Sequence, residues 1–262
     1  MATNALLERK GARCALITTE GFGDLQLIGN QSRPEIFDLE IHRLESLYSH
    51  VAEIQERVLL VKPESSFSRE KVFMGRSHEE LYVEKAIDVD EVTIKLKEIL
   101  ALGIRSIAVC FLHSYAYPLH EEIVRDVAQS LGFEQISLSS EIMPSIRAVA
   151  RGCTSCVDAY LTPVIKKYLA SFSSGFDENI ESIVSFMQSD GGLTPMNAFK
   201  GNKAILSGPA GGVVGYALTS YQLDSSKPVI GFDMGGTSTD GESAIDFSVL
   251  VLLKLTSYYI SI

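Results

Sequence analysis

The sequence predicts an α/β protein of two lobes, and three features carry that prediction. Ser106-Ile-Ala-Val-Cys-Phe-Leu112 is an unbroken apolar run, the pattern of a strand buried on both faces of a parallel sheet. A helical period precedes it: Val92, Leu96, Ile99 and Leu100 share one face, with Asp88 placed to cap and Gly103 to stop the helix. Near the other end, the apolar Pro228-Val-Ile230 leads into a glycine-rich turn, as a buried strand does before a ligand loop. With 262 residues, 46% of them hydrophobic, the chain can bury a full core.

Taken in order, Asn4 to Lys10 reads as a helix stopped by Gly11, and Cys14 to Thr18 as a short buried strand. Gly29-Asn-Gln-Ser-Arg-Pro34 is a polar loop. Its Arg33 is either an ordinary surface residue or a planar donor fork for a substrate carboxylate. Alternation over Arg57–Val61 and Glu80–Ala86 predicts exposed strands, with Lys62 to Gly75 as a loop between them. Beyond the central strand, His113 and His120 fall on a turn, and Glu121 and Glu122 open a helix that ends near Gly132. These two acids complement the helix dipole, and the same residues are the alternative ligands of a metal. Gln135 to Leu138 is a strand that closes the first lobe, set at residues 1–142, and 143–262 begins the second. A helix is expected from Thr154 to Phe172, kinked or restarted at Pro163 with Thr162 as its cap. Arg147 and Arg151, four apart just ahead of it, are either a solvated charged face or a clamp for phosphate or carboxylate. After a linker at Ser171 to Asp177, the strand Ile183 to Met187 carries Gln188-Ser-Asp-Gly-Gly192 at its carboxyl end, where Asp190 is the acid placed nearest the chemistry. Ser207-Gly-Pro-Ala-Gly-Gly212 opens a helix: Pro209 tolerates the first turn, and Ser207, Gly208, Gly211 and Gly212 let an anion or a backbone come close.

Phosphate chemistry is written most plainly in Gly231-Phe-Asp-Met-Gly-Gly-Thr-Ser-Thr-Asp240. Gly235 and Gly236 permit a tight turn whose N–H groups approach an anion, and Thr237, Ser238 and Thr239 add hydroxyl donors. Asp233 and Asp240 would repel a bare phosphate, so their presence implies a bridging cation, Mg²⁺, and with it a nucleotide such as ATP. The spacing is neither a Walker loop nor a dinucleotide fingerprint, and the plain alternative is a Gly-Gly hairpin turn.

Asp-x-Gly-Gly-Thr-x-x-Asp after an apolar strand resembles the phosphate loop of actin-like ATPases, which include sugar kinases and heat-shock chaperones. Thr3-Asn-Ala-Leu-Leu-Glu-Arg-Lys-Gly11, Ile28-Gly-Asn-Gln-Ser-Arg-Pro34, Asp158-Ala-Tyr-Leu-Thr-Pro163, Met187 to Gly192 and Ser207 to Gly212, in this order, resemble the hydantoinase A/5-oxoprolinase family. The resemblance implies actin-like (ribonuclease H-like) lobes with mixed sheets, the second incomplete. It also implies ATP-driven hydrolysis of a small cyclic amide within glutathione metabolism, and a homo-oligomeric intact protein. Hydantoin hydrolysis or ketone carboxylation are the sibling chemistries. Two departures stand out: Gly23 replaces a basic residue, and Gly241 onward leaves the family pattern. A first phosphate loop would precede Thr3, so this chain alone is expected to be inactive, a truncated product that at most binds nucleotide, and its apolar stretch Phe247–Leu253 is expected to promote self-association.

A formal net charge of −10 without a basic run argues against nucleic acid or an anionic membrane as partner. The amino terminus carries no secretory or import pattern, which predicts a cytosolic protein with reduced cysteines. Cys153 and Cys156 form a lone C-x-x-C, expected to pack rather than to bind metal.

Overall fold

A computed structural model describes residues 1–30, 37, 39–40, 45–62, 65, 67, 71–176, 180–220, 229–234 and 239–244. Along the chain run α1 (Ala2–Leu7), β1 (Cys14–Thr19), α2 (Leu25–Ile28), β2 (Tyr48–Ile54), β3 (Arg57–Leu60), β4 (Val72–Met74), β5 (Glu80–Lys85), α3 (Val89–Ala101), β6 (Ser106–Cys110), α4 (Leu119–Ser130), β7 (Gln135–Leu138) and α5 (Ser139–Ile142). The long α6 (Ala148–Ser173) follows, then α7 (Ile180–Ile183), β8 (Ser185–Met187), β9 (Leu193–Pro195), α8 (Gly201–Ala204), α9 (Ser207–Ser220), β10 (Val229–Met234) and β11 (Thr239–Ala244). Contacts divide the chain into Gly11–Pro163 and a second unit that joins Met1–Lys10 to Val164–Ile262. The amino-terminal helix therefore belongs with the carboxyl-terminal half, where the Thr3 hydroxyl donates to the Ile205 carbonyl.

In the Gly11–Pro163 unit, β2, β1, β6 and β7 form a parallel sheet in that order. The central strand β6 is buried throughout, as its unbroken apolar run requires. One face of the sheet (Ala15, Ile17, Ile107, Val109) packs on Val92, Leu96 and Ile99 of α3 and on Val124 and Ala128 of α4. Each valine, leucine or isoleucine among them contributes about 1.5–3 kcal/mol when fully withdrawn from water. Helix α3 starts where its cap predicts: the Asp88 carboxylate accepts from the Asp90 N–H at 2.9 Å. A second, antiparallel sheet has the order β3-β5-β4 and packs through Val58 and Leu81 on Tyr115 and Ala116. Strand β4 falls inside the stretch read as a loop, because three residues between polar flanks are too few for a legible alternation.

Helix α6 differs from its expectation in two ways. It begins at Ala148, so Arg151 is a helical residue, and it continues through Pro163 without restarting. Proline removes the N–H that would reach the Ala159 carbonyl. The Ser106 hydroxyl on β6 donates to that carbonyl instead, at 2.6 Å, and the Ala12 N–H donates to the Tyr160 carbonyl at 2.8 Å. Thr162 is accordingly no cap; its hydroxyl donates to Asp158 Oδ1 at 2.8 Å.

In the other unit, β8 and β9 form an antiparallel hairpin, as do β10 and β11. Phe186 stacks on the buried Phe199 with ring centroids 5.3 Å apart and meets Phe172 edge-on at 5.7 Å.

Candidate functional site

Helix α9 is the element around which the glycine motifs gather. The turn between β8 and β9 is closed by the Gln188 N–H donating to the Gly192 carbonyl at 2.8 Å and the Gly191 N–H donating to the Gln188 carbonyl at 3.0 Å. Gly191 has φ +80°, a conformation that glycine adopts without strain. Asp190 sits at the crest of this turn, half exposed: its Oδ1 accepts from the Gly192 N–H at 3.0 Å and its Oδ2 lies 3.5 Å from Lys203 Nζ. The turn rests on α9, because a Cβ at Gly191 would stand 3.3 Å from Val214 Cγ2 and one at Gly211 would stand 3.8 Å from Met187 Cγ. Two motifs separated in sequence, Gln188–Gly192 and Ser207–Gly212, are thus neighbours. Ser207 opens the helix, its hydroxyl donating to the Ala204 carbonyl at 3.0 Å. Among the described residues nothing lies within 4 Å of a Cβ built on Gly208, so packing does not explain glycine there. Gly212 lies in the same first turns of α9.

The other half of α9 supports the β10–β11 hairpin. A Cβ on Gly231 would meet the Tyr216 ring at 2.1 Å, so the tyrosine lies flat on the strand where only glycine fits. The hairpin register pairs Asp233 with Asp240 and Met234 with Thr239. The two acids therefore occupy one register position, beside the turn that would carry the phosphate donors. Gly235, Gly236, Thr237 and Ser238 of that turn lie outside the described residues, as do Arg33 and the apolar tail.

The Gly11–Pro163 unit holds charged residues of a different kind. Arg151 is fully buried, 0% exposed. Its Nε donates to Ser139 Oγ at 2.9 Å, Nη1 to the Ser145 carbonyl at 2.6 Å, and Nη2 to the carbonyls of Phe111 and Leu112, the latter at 2.8 Å. The guanidinium also lies over the Tyr115 ring, 5.6 Å from its centroid. This corrects the expectation of a clamp: in this environment Arg151 ties the end of β6 to α5 and α6 and offers no fork to a ligand. Glu121 is another correction. It does not decorate the first turn of α4 but points inward, accepting from the Phe111 N–H at 3.1 Å, Ser139 Oγ at 2.6 Å, the Ser140 N–H at 2.8 Å and Ser140 Oγ at 2.7 Å. Burial pushes its carboxyl above the usual range while these four donors oppose the shift. His120 Nδ1 is 2.8 Å from Glu56 Oε2, both buried, so it is committed to a pair. Among the described residues no three His, Cys, Asp or Glu side chains are grouped as metal ligands. The four cysteines are free thiols.

Sequence reasoning missed Ser189, Glu56 and Asp158 as polar residues with structural tasks. Asp158 accepts from Ser137 Oγ at 2.7 Å and Thr162 Oγ1 at 2.8 Å. Its only signal was a place in the Asp158–Pro163 motif, as that of Ser189 was a place in Met187–Gly192; Glu56 gave none.

A mixed α/β protein whose glycine-rich turns converge on one helix is the class these observations define. Two family descriptions match the chain in sequence order: hydantoinase/oxoprolinase N-terminal region over residues 1–132, and hydantoinase/oxoprolinase over residues 151–255. The chain belongs to the hydantoinase/oxoprolinase family. It is 53% identical over 241 residues to 5-oxoprolinase 1 of Arabidopsis thaliana, covering 92% of this chain and 19% of that protein. It spans about a fifth of the length of such relatives. Among solved structures it resembles an ATP-dependent caprolactamase from Pseudomonas jessenii (TM-score 0.69, 24% identity, 93% of this chain and 33% of that one). It also resembles an acetone carboxylase (TM-score 0.73, 22% identity, 94% and 34%). These two likenesses bear on the fold. No helix among the described residues is long and apolar enough to cross a membrane.

Proposed function

We propose that this chain is part of a cytoplasmic, ATP-dependent cyclic-amide hydrolase that opens 5-oxo-L-proline to L-glutamate. The half-identity to a 5-oxoprolinase supports the substrate class, and the observation that carries the site is the convergence on α9. There the Asp190 turn, the Ser207 helix start and the Asp233–Asp240 hairpin share one support. Ring amides resist water because resonance holds electron density on the oxygen. Transfer of the γ-phosphoryl group of ATP to that oxygen, with ADP released, turns it into a leaving group and lets water add to the carbon; the C–N bond then breaks as the nitrogen takes up a proton, and a second water releases phosphate from the resulting acyl phosphate. Little of this needs covalent help from the protein, so placement and electrostatics dominate.

In this reading Gly235, Gly236, Thr237, Ser238 and Thr239 hold phosphate oxygens. Ser207, Gly208, Gly211 and Gly212 let the amino end of α9 face an anion without an intervening side chain. Asp190 orders the attacking water, and Arg33 meets the substrate carboxylate, while Arg151 stays a buried structural residue. Two carboxylates at one register position beside a phosphate turn fit a hard divalent cation, so Asp233 and Asp240 are the residues to hold Mg²⁺, which would neutralise charge on the transferring group. The homo-oligomeric state and the place in glutathione metabolism belong to the same proposal.

The test is phosphate release by the complete enzyme that carries this chain, assayed with 5-oxoproline, hydantoins, ketones with bicarbonate, and sugars. Stimulation by 5-oxoproline is expected. Stimulation by a ketone with bicarbonate instead would move the protein to the carboxylase side of the family, and by a sugar would overturn the amide reading.

A further inference from the structure

We infer that Ser189 is a positioning residue for the phosphate-handling machinery: it locks the Asp190 turn to the segment that launches α9. The inference rests on the reading above and adds a residue to it. Ser189 is the buried member of its turn, 7% exposed, while its neighbour Asp190 is open to solvent. Its three polar groups all work on one short stretch. The Ser189 N–H donates to the Lys203 carbonyl at 2.7 Å, the Ser189 hydroxyl donates to the same carbonyl at 2.7 Å, and that hydroxyl oxygen accepts from the Leu206 N–H at 3.0 Å. Lys203 lies in α8 and Leu206 immediately precedes Ser207.

The geometry has a specific consequence. Helix α9 offers its first N–H groups to an anion only if its amino end is held at a fixed distance from the turn that carries Asp190. That turn is short and glycine-rich, so its position depends on what fastens it. The van der Waals contacts at Gly191 and Gly211 set the turn against the side of α9, and the Ser189 N–H ties it to Lys203. The hydroxyl of Ser189 adds the tie to the helix start itself, since its one oxygen both donates to the Lys203 carbonyl and accepts from the Leu206 N–H. A side chain of this size with both a donor and an acceptor is needed; alanine has neither, and cysteine keeps the volume with a much weaker pair. The same serine also satisfies the partly buried Leu206 N–H.

The experiment is Ser189→Ala in the complete enzyme, read as KM for ATP, kcat and melting temperature, with Ser189→Thr and Ser189→Cys beside it. Expected are a rise in KM for ATP or a fall in kcat/KM of about tenfold in Ser189→Ala. Ser189→Thr, which keeps the hydroxyl, should return to within about threefold of wild type, a rescue that volume alone does not give. If the alanine variant does not fold, the cysteine variant is read in its place. Wild-type values for KM and kcat/KM with ATP in the alanine or cysteine variant would overturn the proposal and leave the functional reading intact. A wild-type enzyme whose turnover is indifferent to ATP would bring down the functional reading and this inference together. A loss that threonine fails to rescue, with melting temperature falling in parallel, would reduce Ser189 to a packing residue and also overturn it.

Discussion

The two units treat their polar residues in opposite ways. In Gly11–Pro163, charged side chains are withdrawn from water and fully engaged: Arg151, Glu121 and Asp158 each spend their donors or acceptors on neighbouring backbone and hydroxyls. In the unit of Val164–Ile262, Asp190 stands half exposed on a turn, and Gly208 opens onto free space among the described residues. A buried ion with every partner satisfied is a fixed part of the scaffold, whereas an exposed acid on a glycine turn keeps capacity for a ligand. The contrast teaches that residue type alone does not mark a site. Arg151 and Asp190 look equally chemical in sequence, and only burial separates them.

The sharpest way to break that contrast is at the two ends of it. In the complete enzyme, Gly236→Val is expected to abolish ATP turnover while the fold survives, because a branched side chain would fill the space of a phosphate oxygen. Near-normal turnover in a folded variant would remove the phosphate-turn assignment. At the scaffold end, Arg151→Met leaves the Phe111, Leu112 and Ser145 carbonyls without their donor and takes a cation away from the buried Glu121 network. A loss of about 3–5 kcal/mol is expected from a denaturant midpoint, the range for breaking one side of a buried charged network. A variant of normal stability whose KM for substrate has risen would return Arg151 to the substrate site.

How far the sequence reaches follows the same divide. Elements specified by local rules were legible: β6 by its apolar run, α3 by its period and its Asp88 cap, and the turn after β8 by its glycines. What required a distant partner was not. Helix α6 runs through Pro163 because Ser106, fifty-three residues before Ala159, supplies a donor to the Ala159 carbonyl, and nothing near Pro163 announces this. Glu121 looks like a dipole acid until Ser139 and Ser140 are brought beside it. Of the candidate site, Asp190, Ser207 and the two acids flanking the glycine turn stood out from turn chemistry, while the pairing of Asp233 with Asp240 came from the structure and the task of Ser189 was hidden because its partners are backbone atoms, which have no sequence identity.

The cysteines give a milder test of the scaffold side. Burial pushes the Cys14 thiol up to about 12 and that of Cys110 up to about 11, and raises Cys156 as well, so these thiols stay protonated at neutral pH and are poor nucleophiles. Alkylation of the native protein at pH 8 is expected to spare all three and to reach the half-buried Cys153 slowly. Because the folded values are raised, the stability they contribute is fully present below the ordinary thiol range. It is lost as pH climbs from there towards 11–12, so a native protein in this respect weakens on the alkaline side only. Rapid modification of Cys14 or Cys110 at pH 8, read by mass, would show that this interior opens more readily than its packing implies.

The smallest expected effect on stability is also the most discriminating. Lys203 Nζ stands 3.5 Å from Asp190 Oδ2 with both side chains well exposed, and an exposed pair of this kind contributes no more than about 0.5 kcal/mol after screening by water and salt. Lys203→Gln should therefore leave the denaturant midpoint almost unmoved, since the backbone carbonyl that holds Ser189 is retained. Its effect should appear in turnover. The Asp190 carboxylate is fixed at Oδ1 by the Gly192 N–H, and the lysine is the group that holds Oδ2. Without it the free oxygen can rotate, and a modest fall in kcat with KM for ATP unchanged is expected, largest at low ionic strength where the pair is least screened. Arg151→Met and Lys203→Gln then form a crossed pair: one costs stability and spares the chemistry, the other spares stability and costs chemistry. If Lys203→Gln lowers the midpoint by as much as a buried substitution while turnover stays at wild-type level, Asp190 belongs with the scaffold, and the distinction between the two units fails at the residue on which it chiefly rests.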